Sequence, residues 1–75
     1  MRKDYATKTI IVHILLALQK YTTKERPVSY TDLSRYLQGI GKSCDRKTVA
    51  RNVDYLIADG FPIGKTNDGK CFYNR

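Results

Sequence analysis

Three cations set close together, Arg46, Lys47 and Arg51, are the residues of this chain whose type and spacing suggest chemistry, and that chemistry is the binding of a polyanion. A guanidinium can bond guanine O6 and N7 as a fork, whereas a lysine ammonium meets a phosphate oxygen as a point charge. All three lie in Cys44-Asp45-Arg46-Lys47-Thr48-Val49-Ala50-Arg51-Asn52-Val53-Asp54-Tyr55-Leu56. At about 100° per residue, Val49, Val53 and Leu56 fall on one arc, and Arg46, Lys47, Ala50, Arg51 and Asp54 on another. The segment predicts one amphipathic helix from Arg46 to Asp59, with Asp45 as N-cap and Gly60 as its stop. The first arc faces a core. The second is free for a groove, and a helix entering the major groove brings its first turns closest to base edges and phosphates. The bland alternative, a solvated face on an ordinary surface helix, loses weight from the rest of the chain.

Other elements must hold that helix. Ile10, Ile11, Ile14, Leu15, Leu18 and Tyr21 recur at helical spacing and predict a first helix from Thr9, capped by Thr7 or Thr9, that forms the centre of the core. The residues before it are polar and basic and are expected to be ordered only in part. Val12 and Leu16 fall outside the buried arc, which leaves either wrap-around packing or a homodimer contact through these two residues. Thr22 to Pro27 reads as a polar loop and Val28 as a short strand. Ser29-Tyr30-Thr31-Asp32 resembles a capping box with Asp in place of Glu. Tyr30, Leu33, Tyr36, Leu37 and Ile40 then give the apolar face of a second helix, broken by Gly39 and Gly41. The connection from Gly39 to Cys44 is longer than the turn of a minimal helix-turn-helix. After Gly60, Phe61 to Lys65 and Lys70 to Tyr73 read as strands joined through Thr66-Asn67-Asp68-Gly69, a hairpin signal, with Pro62 at the start or outer edge of the first strand.

With 75 residues the chain forms one domain with a modest core, ordered over about residues 7–73. Its formal charge is +7, from 14 Lys and Arg against 7 Asp and Glu. Residues 1–26 carry +4, residues 27–41 carry zero and residues 42–75 carry +3, so a neutral middle separates two basic regions. That balance favours nucleic acid first and a membrane surface second. The apolar run from Ile10 to Leu18 is too short to span a membrane and lacks a signal-peptide cleavage pattern. Cys44 and Cys71 have no metal-ligand spacing, so reduced thiols in the cytoplasm are the simpler expectation.

No other constellation carries chemistry. His13 is the only histidine, with no acidic residue or cysteine three or four positions away to share a metal or orient a base. The carboxylates are dispersed, and no Ser/His/Asp, Cys/His or phosphate-cradling glycine arrangement occurs; the expectation is no enzyme, no cofactor and no metal. Tyr30, Tyr36 and Tyr55 are expected to pack in the core with their hydroxyls at the surface. Tyr5 and Tyr73 are the tyrosines that could meet nucleic acid. Cys44, just before the helix cap, is expected to be buried beneath the turn, with a depressed pKa and redox sensitivity as the rival reading.

The order helix, short strand, helix, basic helix, hairpin, with Asp45-Arg46-Lys47-Thr48-Val49 opening the basic helix and Gly60-Phe61 ending it, resembles the winged helix-turn-helix at the N-terminus of bacterial WYL-domain transcriptional regulators. The resemblance runs from about Thr9 to Tyr73. It implies a mainly α domain of three helices plus a β-hairpin wing that binds double-stranded DNA sequence-specifically and takes part in transcription regulation. It also implies that Arg46, Lys47, Thr48, Ala50 and Arg51 meet DNA and that Lys65 and Lys70 flank the wing. Such regulators continue into an effector-sensing domain, whereas this chain stops at Arg75, so no sensor is expected in it. The rival class is a winged-helix protein-interaction module, which an exposed apolar face on the third helix would favour. RNA binding is a third option, weakened by the lack of aromatic-rich strands apart from Phe72 and Tyr73.

Overall fold

The computed structural model describes residues 3–42 and 44–74, with side chains from Thr9 onward. In chain order the elements are α1 (Lys3–Tyr21), β1 (Val28–Ser29), α2 (Tyr30–Gly39), α3 (Arg46–Ala58), β2 (Ile63–Lys65) and β3 (Lys70–Tyr73). Three helices and an antiparallel sheet of strand order β1-β3-β2 give a mainly α, winged-helix-like arrangement, as expected. The sheet has one strand more than the hairpin, because β1 pairs with β3, Val28 opposite Cys71 and Ser29 opposite Lys70.

Each helix boundary has a local cause. α1 starts at Lys3 rather than at Thr9, since no glycine or proline interrupts the polar residues ahead of the apolar pattern, so neither Thr7 nor Thr9 is its cap. The side chains of Tyr5 and Thr7 lie outside those described. At the start of α2 the capping box is complete. The Asp32 N–H donates to Ser29 Oγ at 3.0 Å, and the Ser29 N–H donates to Asp32 Oδ2 at 3.3 Å. Gly39 is still helical, and the break falls at Gly41, whose φ of +81° suits glycine. There the Gly41 N–H reaches the Gln38 carbonyl and the Lys42 N–H the Leu37 carbonyl, a Schellman ending. α3 ends the same way: the Gly60 N–H bonds the Ile57 carbonyl, the Phe61 N–H bonds the Leu56 carbonyl, and Phe61 packs against the core.

Ile14, Ala17, Leu18, Leu33, Leu37, Val49, Val53, Leu56 and Cys71 form the buried cluster. Three residues expected in the core are exposed instead: Tyr55 on α3, Tyr21 and Ile40. Tyr21, 54% exposed, sits in the last turn of α1 and lies edge-on against Tyr36 with ring centroids 5.6 Å apart. Ile40 is exposed because it caps α2 after the helix has ended. Thr22 reverses its expected place in a polar loop. It is buried, its hydroxyl donates to the Leu18 carbonyl at 2.6 Å and accepts the Tyr73 N–H at 2.8 Å, and it thereby ties the end of α1 to the end of β3.

Candidate nucleic-acid interface

α3 is held from below and at its start. Val49, Val53 and Leu56 are buried, so the apolar stripe faces the core and the basic arc faces out. Asp45 Oδ1 accepts the Thr48 N–H at 2.8 Å, and that bond holds the Asp45 carboxyl below its ordinary pKa. The connection from Ile40 to Asp45 is longer than a minimal turn, with Ser43 outside the described residues. It is pinned by the Ser34 hydroxyl, which donates to the Cys44 carbonyl at 2.6 Å. The long connection therefore still fixes where α3 begins relative to α2.

On that helix Arg46, Lys47 and Arg51 are exposed. Among the described residues one ion pair forms, Lys65 with Asp54, so none of these three cations is neutralised by direct contact with a carboxylate. Arg46, Lys47 and Ala50 line a cleft of about 360 Å³ together with Ser29, Tyr30 and Thr31 at the start of α2 and Asp68 and Gly69 in the β2–β3 turn. Three separate elements thus converge on one basic concavity. Arg51 stands one turn further along α3, outside the cleft. Thr48 is half-buried on the helix flank, where its carbonyl accepts from Asn52 Nδ2 at 2.8 Å.

Lys65 ends β2 and Lys70 begins β3, one on either side of the wing turn. β2 begins at Ile63, not Phe61, because Phe61 completes the end of α3 and Pro62 has no N–H for a ladder. Lys65 Nζ lies 2.7 Å from Asp54 Oδ1, and this hydrogen bond raises the lysine pKa. Lys65 is therefore directed toward α3 while its side chain stays partly open to solvent. Lys70 is half-buried. Its N–H donates to Thr66 Oγ1 at 2.9 Å and its carbonyl accepts the Thr66 N–H, which closes the turn. Inside the turn the Thr66 hydroxyl donates to the Asp68 carboxylate and lowers its pKa, and Gly69 takes a φ of +86°.

Four residues of the cleft carry no functional signal in the sequence. Ser29, Thr31, Asp68 and Gly69 were legible only as cap and turn positions. Their convergence with Arg46 depends on how α2 and the hairpin pack, for which a single sequence carries no local signal. Tyr55 is a correction: it is 55% exposed on the outer side of α3, not packed in the core, because it lies opposite the Val49, Val53 and Leu56 stripe. Tyr73 is half-buried against the core.

The cysteines are free. Burial, and to a lesser degree the Asp45 charge, raise the Cys44 pKa, which accords with the expected place of a partly buried thiol beneath the turn and goes against the rival reading of a depressed, redox-sensitive one. Burial pushes Cys71 up to about 11. Among the described residues no group of histidine, cysteine or carboxylate side chains could hold a metal, and no helix is long and apolar enough to cross a membrane. No protein-family model, curated protein or solved structure matches the chain.

Proposed function

We propose that this domain binds double-stranded DNA in a sequence-dependent way, with the first two turns of α3 in the major groove, and that it acts in the cytoplasm as, or as part of, a bacterial transcriptional regulator. One observation carries the reading: Arg46, Lys47 and Arg51 stand together, exposed and outside any ion pair, on a helix that is capped at its start and anchored by a separate apolar stripe. In this reading Lys47 meets phosphate, Arg51 reaches a base edge, and Arg46, at the mouth of the cleft, reaches either. The resemblance to WYL-domain regulators supports the regulatory role. Val12 and Leu16, 49% and 51% exposed on α1, are the surface for a homodimer that would read two half-sites.

Tyr55 favours the second reading, a protein-interaction module, since a large exposed aromatic on α3 is what a protein partner would bury. Selection of sites from random duplex DNA separates the two. A defined half-site whose affinity falls steeply with salt is the expected result, because each lysine or arginine on a phosphate releases condensed counterions. Absence of binding at low salt, or an affinity indifferent to salt, overturns the DNA reading and leaves the protein module in front.

A further inference from the structure

We infer that Lys65 and Asp54 form a brace that sets the wing against α3, and that Lys65 is a positioning residue rather than a contact to the nucleic acid; this rests on the proposed function. The sheet register gives the first reason. Lys65 pairs with Cys71, and directly opposed residues of an antiparallel pair project from the same face. Cys71 is wholly buried, so that face is the one turned to the helices. The lysine stem must therefore run toward α3, where its ammonium ends 2.7 Å from Asp54 Oδ1, beside Tyr30 of α2.

The second reason lies along α3. Arg46, Ala50 and Asp54 follow one another at four-residue intervals and make one strip of the helix. Arg46 and Ala50 line the cleft with the wing turn, while Asp54 holds the strand that leads into that turn. Gly64, the residue before Lys65, cannot contribute a side-chain anchor: a Cβ there would lie 2.4 Å from the Phe72 ring. Lys65 is thus the polar link from β2 to α3, and its loss would let the cleft's third wall move while leaving every α3 cation in place.

Lys65→Met keeps the stem and removes the charge, Asp54→Asn removes the partner, and the double variant closes the cycle. In the DNA-free protein, amide exchange at β2 and the following turn should speed up by as much as about fivefold in either single variant, the range of an exposed ion pair, and no further in the double. On a selected duplex both single variants should bind more weakly, with the salt slope unchanged. Tighter binding by Asp54→Asn together with a slope lowered by about one in Lys65→Met would make Lys65 a phosphate contact and overturn the inference. Unchanged amide exchange overturns it irrespective of DNA. Coupled exchange in a protein that binds no duplex would uphold the brace and remove the proposed function.

Discussion

The opening turns of α3 and the wing both carry lysine or arginine in the sequence, yet they offer very different charge to a partner. α3 is anchored by apolar burial of Val49, Val53 and Leu56, and that leaves Arg46, Lys47 and Arg51 exposed and outside any ion pair, with Lys47 and Arg51 acting on the Asp45 cap carboxylate only at a distance. The wing also buries apolar groups, Cys71 and Phe72, and packs Ile63 and Tyr73 on the core, but it is anchored through polar groups as well. Lys65 bonds Asp54, the Tyr73 N–H bonds Thr22, and the turn closes through Thr66 and Asp68. A cation that anchors its own element is only partly available to a phosphate. Charge counted along a sequence therefore overstates the charge a strand presents more than the charge an amphipathic helix presents.

The sharpest way to break this comparison is to remove cations from α3. Arg51→Ala should cost about 1–3 kcal/mol on the preferred duplex and relax discrimination at one base position. Lys47→Ala should weaken all duplexes alike and lower the log–log salt slope by about one. Circular dichroism should show the fold intact in both, since neither side chain lies on the buried stripe. If both variants bind the selected site as tightly as the parent, α3 does not enter the groove.

The polar anchoring of the wing is tested at Thr22. Thr22→Val keeps the shape but removes the hydroxyl that accepts the Tyr73 N–H and donates to the Leu18 carbonyl. A cost of about 1–3 kcal/mol in urea unfolding is expected. Equal stability of the variant would mean that apolar contacts, not this bond, hold β3 to α1.

Why one region was legible and the other only in part follows from the range of the interactions. The stripe on α3, the capping box at Ser29 and the glycine endings depend on residues at most five apart, and those were readable. Tyr21, Ile40 and Tyr55 were misplaced because position on a helical wheel does not say where the helix meets its neighbours. The apolar sum of Tyr21 and Tyr36 is met by their edge-on contact at the surface. Thr22, Lys65 and the cleft walls are set by residues far off in the chain: Tyr73 for Thr22, Asp54 for Lys65, and the wing turn for the cleft that Arg46 lines. A hydroxyl at the edge of a polar loop looks like any other until β3 is laid against it.

A smaller effect should come from acid. The Asp45 carboxyl has a folded pKa below its ordinary value because it accepts the Thr48 N–H. The sign is that of a depressed carboxylate: its contribution is fully present above the unfolded pKa and is lost as pH falls through the folded one. Urea melts from about pH 6 down to about pH 2 should therefore show an acid loss of stability that Asp45→Asn, still a good cap, reduces. An undiminished loss in that variant would assign it to the other carboxylates. Because the cap belongs to α3, the same change should leave the wing's amide exchange untouched.

The smallest expected effect bears most directly on how near the wing turn comes to the duplex. Asp68 is an exposed carboxylate on the wall of the cleft that also holds Arg46 and Lys47. Were a phosphate to occupy that cleft, Asp68 would repel it across solvent. Asp68→Asn keeps an acceptor for the Thr66 hydroxyl and a residue suited to the turn, so the hairpin should persist. A unit charge about 10 Å from a phosphate in water changes binding by about twofold, and salt screens it over a comparable length. Asp68→Asn should accordingly bind duplex about twofold more tightly at low ionic strength, with the difference fading toward physiological salt. A larger gain that persists in salt would place the carboxylate in contact with the backbone. No gain at any salt would put the turn well away from the DNA, and the cleft would then be bounded by the wing but occupied only from the side of α2 and α3.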